Sequence, residues 1–135
     1  MRFFTPAEAN AALERVRPLA ERMVAHRRRL LAAQARQERL GELVSGNGGG
    51  IHPAEPAEID VEIEREAAAV AGCVGEIEEL GAQVKDLDTG LLDFPARRGE
   101  EIVLLCWHLG EDAVRFWHTV EGGLAGRRPL PLEDE

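Results

Sequence analysis

The first third of the chain carries one continuous helical pattern, and a helix that long cannot bury its own apolar face. Thr5-Pro6-Ala7-Glu8 is a start signal, with Thr at the N-cap, Pro at the first helical position and Glu three residues after the cap. Phe4, just ahead of the cap, is placed to pack on Ala9. The pattern runs over about residues 5–44, roughly 58 Å of helix at 1.5 Å per residue, and Pro18 is the one point where it is expected to kink or split. Ala9, Leu13, Val16, Ala20, Met23 and Leu30 recur at spacings of three and four, a seam of coiled-coil type. Such a rod requires a partner helix.

The Gly-rich stretch from Ser45 to Gly50 ends this helix, and a flexible loop over 45–56 takes in His52-Pro53 and Glu55-Pro56. A second helix is expected over 57–83, with Ile59, Ile63, Val70, Val74, Ile77 and Leu80 on its apolar face. Residues 1–44 carry a net charge of +4 and residues 51–83 one of −8, so the two helices are complementary. An antiparallel hairpin follows, formed within one chain or between subunits, and a homodimer through the long helices is the expected assembly.

Past Val84 the apolar period changes. Leu91–Phe94, Ile102–Trp107 and Val114–Val120 read as strands, with Pro95–Glu100 as the first turn and Gly110-Glu111-Asp112 as the second. For residues 111–121 a helix is the rival reading. The β-meander occupies 84–130 and precedes an acidic tail over 131–135. The expected fold is therefore α+β in a single domain, residues 1–135: a long antiparallel, coiled-coil-like helical hairpin followed by a small three-stranded antiparallel sheet.

Several functions are excluded by residue type. Ser45 is the only serine and lies in a Gly-rich turn, so a serine-hydrolase elbow is absent. Lys85 is the only lysine, and neither a phosphate loop nor a dinucleotide glycine fingerprint occurs. The net charge of −9 disfavours nucleic acid, for which only the first segment has clustered cations. No apolar run approaches the roughly 20 residues that cross a bilayer, and the N-terminus lacks the apolar stretch of a signal peptide. A cytoplasmic location is expected, with Cys73 and Cys106 as thiols.

Chemistry-bearing side chains concentrate in the last third. Trp107-His108 and Trp117-His118 repeat one phrase ten residues apart, and Cys106 lies beside the first copy. Cys106, His118, Asp93 and Glu111 supply the thiolate, imidazole and carboxylates that suit Zn²⁺ or another divalent metal, although their spacing matches no paired-ligand motif. The bland reading is a buried cysteine and polar sheet-edge histidines. Arg97, Arg98, Arg127 and Arg128 flank the strands, and with Trp117 they form the candidate surface for an anion or nucleotide. Asp88-Thr89-Gly90 matches the aspartic-protease triplet by its three letters alone, and Asp88 reads as a turn organiser. Arg27-Arg28-Arg29 reads as a solvated face or as partners for the acidic second helix.

The segments Lys85–Pro95, Leu105–Glu111, Phe116-Trp117-His118 and Gly123–Leu130, together with Phe4-Thr5-Pro6-Ala7-Glu8-Ala9-Asn10, resemble the prokaryotic domain of unknown function 2203 family. The resemblance touches both ends of the chain. It implies Arg where this chain has His108, which counts against His108 as a ligand and leaves Asp93, Cys106, Trp117, His118 and Arg127 standing. It implies no activity. Three functional readings follow. The first is an oligomeric structural, interaction or small-ligand-binding protein. The second is a metal-dependent hydrolase or lyase with a Cys/His/Asp site and Glu111 as base. The third is an anion or nucleotide binder. The residues assign no reaction.

Overall fold

The structure, a computed structural model, describes residues 1–46 and 52–132. The centre of the expected Gly-rich loop and the last three residues of the acidic tail lie outside the described residues. Helix α1 spans Pro6–Ser45, and its start is built as a capping box: Thr5 Oγ1 accepts from the Glu8 amide, and Glu8 Oε1 accepts from the Thr5 amide. Pro18 lies inside α1 on its exposed side, and the helix continues through it unsplit.

Helix α2 spans Glu55–Glu79, starting earlier and ending earlier than its pattern predicts. Gly81 is the physical reason for the early end. Its φ of +100° is a left-handed conformation that no helix continues through. The helices pair antiparallel within one chain, since Arg36 reaches Glu62, Gln37 reaches Asp60, His26 reaches Glu66 and Arg2 reaches the Leu80 carbonyl. The apolar seam of α1 is thus filled by its own chain. Of the arginine triplet, Arg27 pairs with Asp88 in a strand turn and not with α2.

The sheet has five antiparallel strands where three were expected: β1 (Gln83–Asp86), β2 (Leu91–Arg98), β3 (Glu101–Trp107), β4 (Phe116–Thr119) and β5 (Arg128–Pro129), in that order across the sheet. β1 occupies the stretch read as the end of the second helix and the start of the meander, and β5 is a two-residue edge strand paired with Phe116 and Trp117. β2 also runs through the expected turn at Pro95, leaving Gly99-Glu100 as a tight hairpin with Gly99 at φ +61°. The Pro95 carbonyl accepts from the Phe4 amide, on the side of β2 away from β3. The missing N–H of Pro95 faces that same side, so the β2–β3 ladder loses nothing.

Leu92, Phe94, Ala96, Val103, Leu105, Trp107 and Trp117 turn to the core shared with Leu13, Val16, Ala20, Met23, Val70 and Ile77 of the helices. Strand alternation sends Asp93, Pro95, Leu104, Cys106, Phe116 and His118 to the opposite face. Most of that second set is buried as well, which is why β2 and β3 read as almost continuous apolar runs.

Candidate metal centre

Three neighbouring strands each contribute one polar side chain to the far face of the sheet. Asp93 of β2 stands opposite Cys106 of β3, which stands opposite Phe116 of β4. His118 lies two residues further along β4, opposite Leu104, and its ring reaches diagonally over β3 towards Asp93. A ligand atom from each of Asp93, Cys106 and His118 lies within 4.8 Å of the other two, and all three residues are buried. The pairing register decides this, since a slip of one residue sends any member to the helix face.

The histidine geometry is specific. His118 Nδ1 lies 2.8 Å from the Thr119 carbonyl oxygen, which can only accept, so Nδ1 carries a hydrogen. In the neutral ring Nε2 is then a bare lone pair, and it lies 3.1 Å from Oδ1 of Asp93, a second acceptor. Two acceptors at that distance need a proton or a cation between them. Nε2 is directed at Asp93 and no hydrogen bond joins His118 to the Cys106 thiol among the described residues, so a Cys-His nucleophile pair is not what the geometry offers.

Arg127 closes the thiol side. Its Nε donates to Cys106 Sγ at 3.4 Å, its Nη2 donates to the Cys106 carbonyl at 3.3 Å and to Glu111 Oε1 at 2.6 Å, and its guanidinium lies 4.3 Å from the Phe116 ring centre. Burial pushes the Cys106 thiol pKa up, the Asp93 and Glu111 charges add to this, and the Arg127 bond and charge oppose it. The thiol thus keeps its proton until something stronger displaces it.

Glu111, expected among the ligands, is outside the three-residue group. Its Oε1 accepts from Arg127 and, at 2.9 Å, from the His108 amide. Burial alone raises the Glu111 pKa. The Arg127 bond, the His108 amide and the Arg127 and His108 charges outweigh it and hold the carboxyl below its ordinary value. A carboxylate so clamped is a poor general base. His108 is outside the three-residue group too, with its Nδ1 at 3.0 Å from the Leu109 carbonyl and its Nε2 at 3.8 Å from Glu111 Oε1.

The loop that carries Glu111 is fixed to α1. Arg17 donates to the carbonyls of Glu111 and Asp112, Trp107 Nε1 donates to the Glu111 carbonyl, and the Asn10 amide pairs with both backbone groups of Val114. Asn10 enters the sequence reading only as part of the N-terminal segment of the resemblance and Arg17 not at all, although an Asn beyond the first turn of a helix is a poor helix former and already a signal.

The remaining candidates are dispersed. Trp117 lies on the core face between Arg98 and Arg128, at 5.1 and 5.2 Å from ring centre to guanidinium, and is only 4% exposed. Arg97 covers the Phe3 ring at 4.2 Å. The four arginines do not converge on one anion site, and no open Trp117 face is left for a base to stack on. The Asp88 turn is organised by Asp86, whose carboxylate accepts from the Asp88 amide and the Thr89 hydroxyl.

This sheet and hairpin, with the N-terminal cap and the C-terminal arginine loop, run almost the length of the chain. The sequence profile of a family described as an uncharacterized conserved protein (DUF2203) matches residues 2–130. The chain belongs to the DUF2203 family. No curated protein and no solved structure matches it. Within this DUF2203 protein the residues that carried the resemblance have physical roles. Phe4 packs edge-on against Phe94 with ring centres 5.2 Å apart, Thr5 and Glu8 cap α1, and Asn10 ties the helix to Val114.

Proposed function

We propose that this DUF2203 protein binds one divalent metal ion of zinc type through Asp93, Cys106 and His118. The observation that carries the reading is the buried approach of His118 Nε2 to Asp93 Oδ1 at 3.1 Å beside the Cys106 thiol, with Nδ1 of His118 turned to the Thr119 carbonyl. A histidine whose second nitrogen donates to a backbone carbonyl is the usual setting of a metal-bound imidazole. A mixed sulfur, nitrogen and oxygen set suits Zn²⁺ or Co²⁺ better than Mg²⁺ or Ca²⁺. Arg127 and Glu111 act as supports around the thiolate. The reading is metal binding, and hydrolysis with Glu111 as base is no part of it.

The test is a competition titration of untagged protein against a chromophoric zinc chelator. Wild type is expected to take up one equivalent, and Cys106→Ser, His118→Gln and Asp93→Asn each to lose well over the roughly 100-fold that outer-shell changes cost. The rival state, a protonated His118 bonded to Asp93 with the thiol as bystander, predicts no uptake and no difference among the variants.

A second reading concerns assembly. No helix among the described residues is long and apolar enough to cross a membrane. Leu31, Leu43, Val44 and Val61 are nonetheless exposed on the hairpin, towards its far end, and they support a homodimer in this region. Arg27 and Arg36 are already paired with acids, which weighs against nucleic acid. Free thiols at Cys73 and Cys106 support a reducing, cytoplasmic setting. Sedimentation of wild type against Leu43→Lys tests the dimer, which predicts lower mass for the variant; a monomeric wild type would end it.

A further inference from the structure

Zinc sites take four ligands, yet the described residues bring only three to this centre. Glu111 is not free to be the fourth, because Arg127 and the His108 amide hold its carboxylate. The group that borders the three on the thiol side is a cation, with Arg127 Nε at 3.4 Å from Cys106 Sγ. The Arg127 side chain is 19% exposed and that of Glu111 16%, whereas those of His118 and Asp93 are 5% and 4% exposed, so Arg127 and Glu111 form the more exposed side of the group. Arg127 spends Nε and Nη2 on Cys106 and Glu111, and its Nη1 donates to no described residue. The Phe116 ring under the guanidinium fixes its plane.

We propose that this centre, if it holds metal as read above, recognises a small monocarboxylate. One carboxylate oxygen completes the metal's fourth position and the other accepts from Nη1 of Arg127. The bond from Nη1 to that oxygen is charge-assisted, which makes it stronger than a neutral hydrogen bond. Charge selects a monoanion over a dianion. A divalent ion is neutralised by the Asp93 carboxylate and the Cys106 thiolate, so one extra negative charge has only the Arg127 bond to offset it, and a second has nothing. Glu111 sets the affinity, because it competes with the incoming carboxylate for the same guanidinium.

Cobalt-substituted protein provides the test, with acetate as the probe and phosphate as the dianionic control. A thiolate-to-cobalt absorption band reports the metal centre, and the ligand-field bands report its fourth position. Acetate is expected to shift the ligand-field bands of wild type and phosphate to leave them unchanged. Arg127→Met is expected to weaken the acetate response by about tenfold or more, the worth of a charge-assisted hydrogen bond. Glu111→Gln is expected to strengthen it, and this opposite sign separates recognition from simple damage to the fold. A thiolate band with ligand-field bands that ignore acetate overturns the carboxylate inference and leaves the metal centre standing. Equal responses in wild type and both variants overturn it too. Absence of the thiolate band in wild type removes both readings.

Discussion

Asn10→Ala is expected to destabilise the protein by more than its half-exposed position suggests. Asn10 Oδ1 accepts from the Val114 amide at 2.8 Å, and its Nδ2 donates to the Val114 carbonyl at 3.2 Å. Val114 is 2% exposed, and among the described residues no other group serves its amide or carbonyl. Alanine leaves one buried donor and one buried acceptor unpaired. Each costs about 1–3 kcal/mol, so the pair gives a loss of about 2–4 kcal/mol, allowing for partial relaxation of the loop. With a urea slope of about 1–3 kcal/mol/M for a domain of this size, the unfolding midpoint should fall by about 1–2 M. Asn10→Asp is expected to lose at least as much, since it keeps the acceptor but sets a carboxylate oxygen against the Val114 carbonyl. The assay is urea unfolding followed by tryptophan fluorescence, paired with hydrogen exchange at the Val114 amide, which should lose its protection in Asn10→Ala. A loss under about 0.5 kcal/mol, the size of a neutral surface change, with protection intact, would refute the claim that the Asn10 side chain is what satisfies the buried backbone of Val114.

Two further predictions rest on equally local geometry. Gly81→Ala should lower the unfolding temperature by a loss of about 1–3 kcal/mol, because it forces a left-handed φ on a residue with a Cβ, and because that Cβ would stand 2.9 Å from Phe4 Cζ; an unchanged melting curve would contradict it. Glu111→Gln should change the acid limb of stability. A carboxyl held below its ordinary value of 4.5 stabilises the fold above that pH and loses the contribution as pH falls through its folded value. The stability gap between wild type and Glu111→Gln in metal-free protein is therefore expected to be widest near neutral pH and to close below about 4.5. A gap that stays constant through acid unfolding would be the contrary result.

Much of the architecture was legible because it is written in long signals. Beyond the four-residue capping box of α1, the seam from Ala9 to Leu30 and the apolar runs of β2 and β3 extend over several turns or strand pairs. β1 and β5 were not legible. β1 has Val84 as its only apolar residue, and β5 is an Arg-Pro pair that is a strand only because Trp117 lies alongside. Pro95 read as a turn because a proline inside a strand normally removes a ladder bond. It is tolerated here because its side of β2 faces the chain at Phe4 instead of β3. The site was half legible. Residue type nominated Asp93, Cys106 and His118, but register brings them together, and register depends on hairpin geometry that Gly99-Glu100 and the Asn10–Val114 anchor supply. Glu111 looked like a ligand and is instead the partner of Arg127. Trp117 and Arg97 looked like a binding surface and are packing groups on Arg98, Arg128 and Phe3.

The central claim is that Cys106, with His118 and Asp93, holds a metal ion. X-ray absorption at the zinc edge of zinc-loaded protein tests it most directly. The predicted spectrum has one sulfur at about 2.3 Å with nitrogen and oxygen scatterers at about 2.0–2.1 Å, an imidazole signature, and no sulfur in Cys106→Ser. A shell of nitrogen and oxygen alone in wild type, or a sulfur that survives Cys106→Ser, would contradict the assignment.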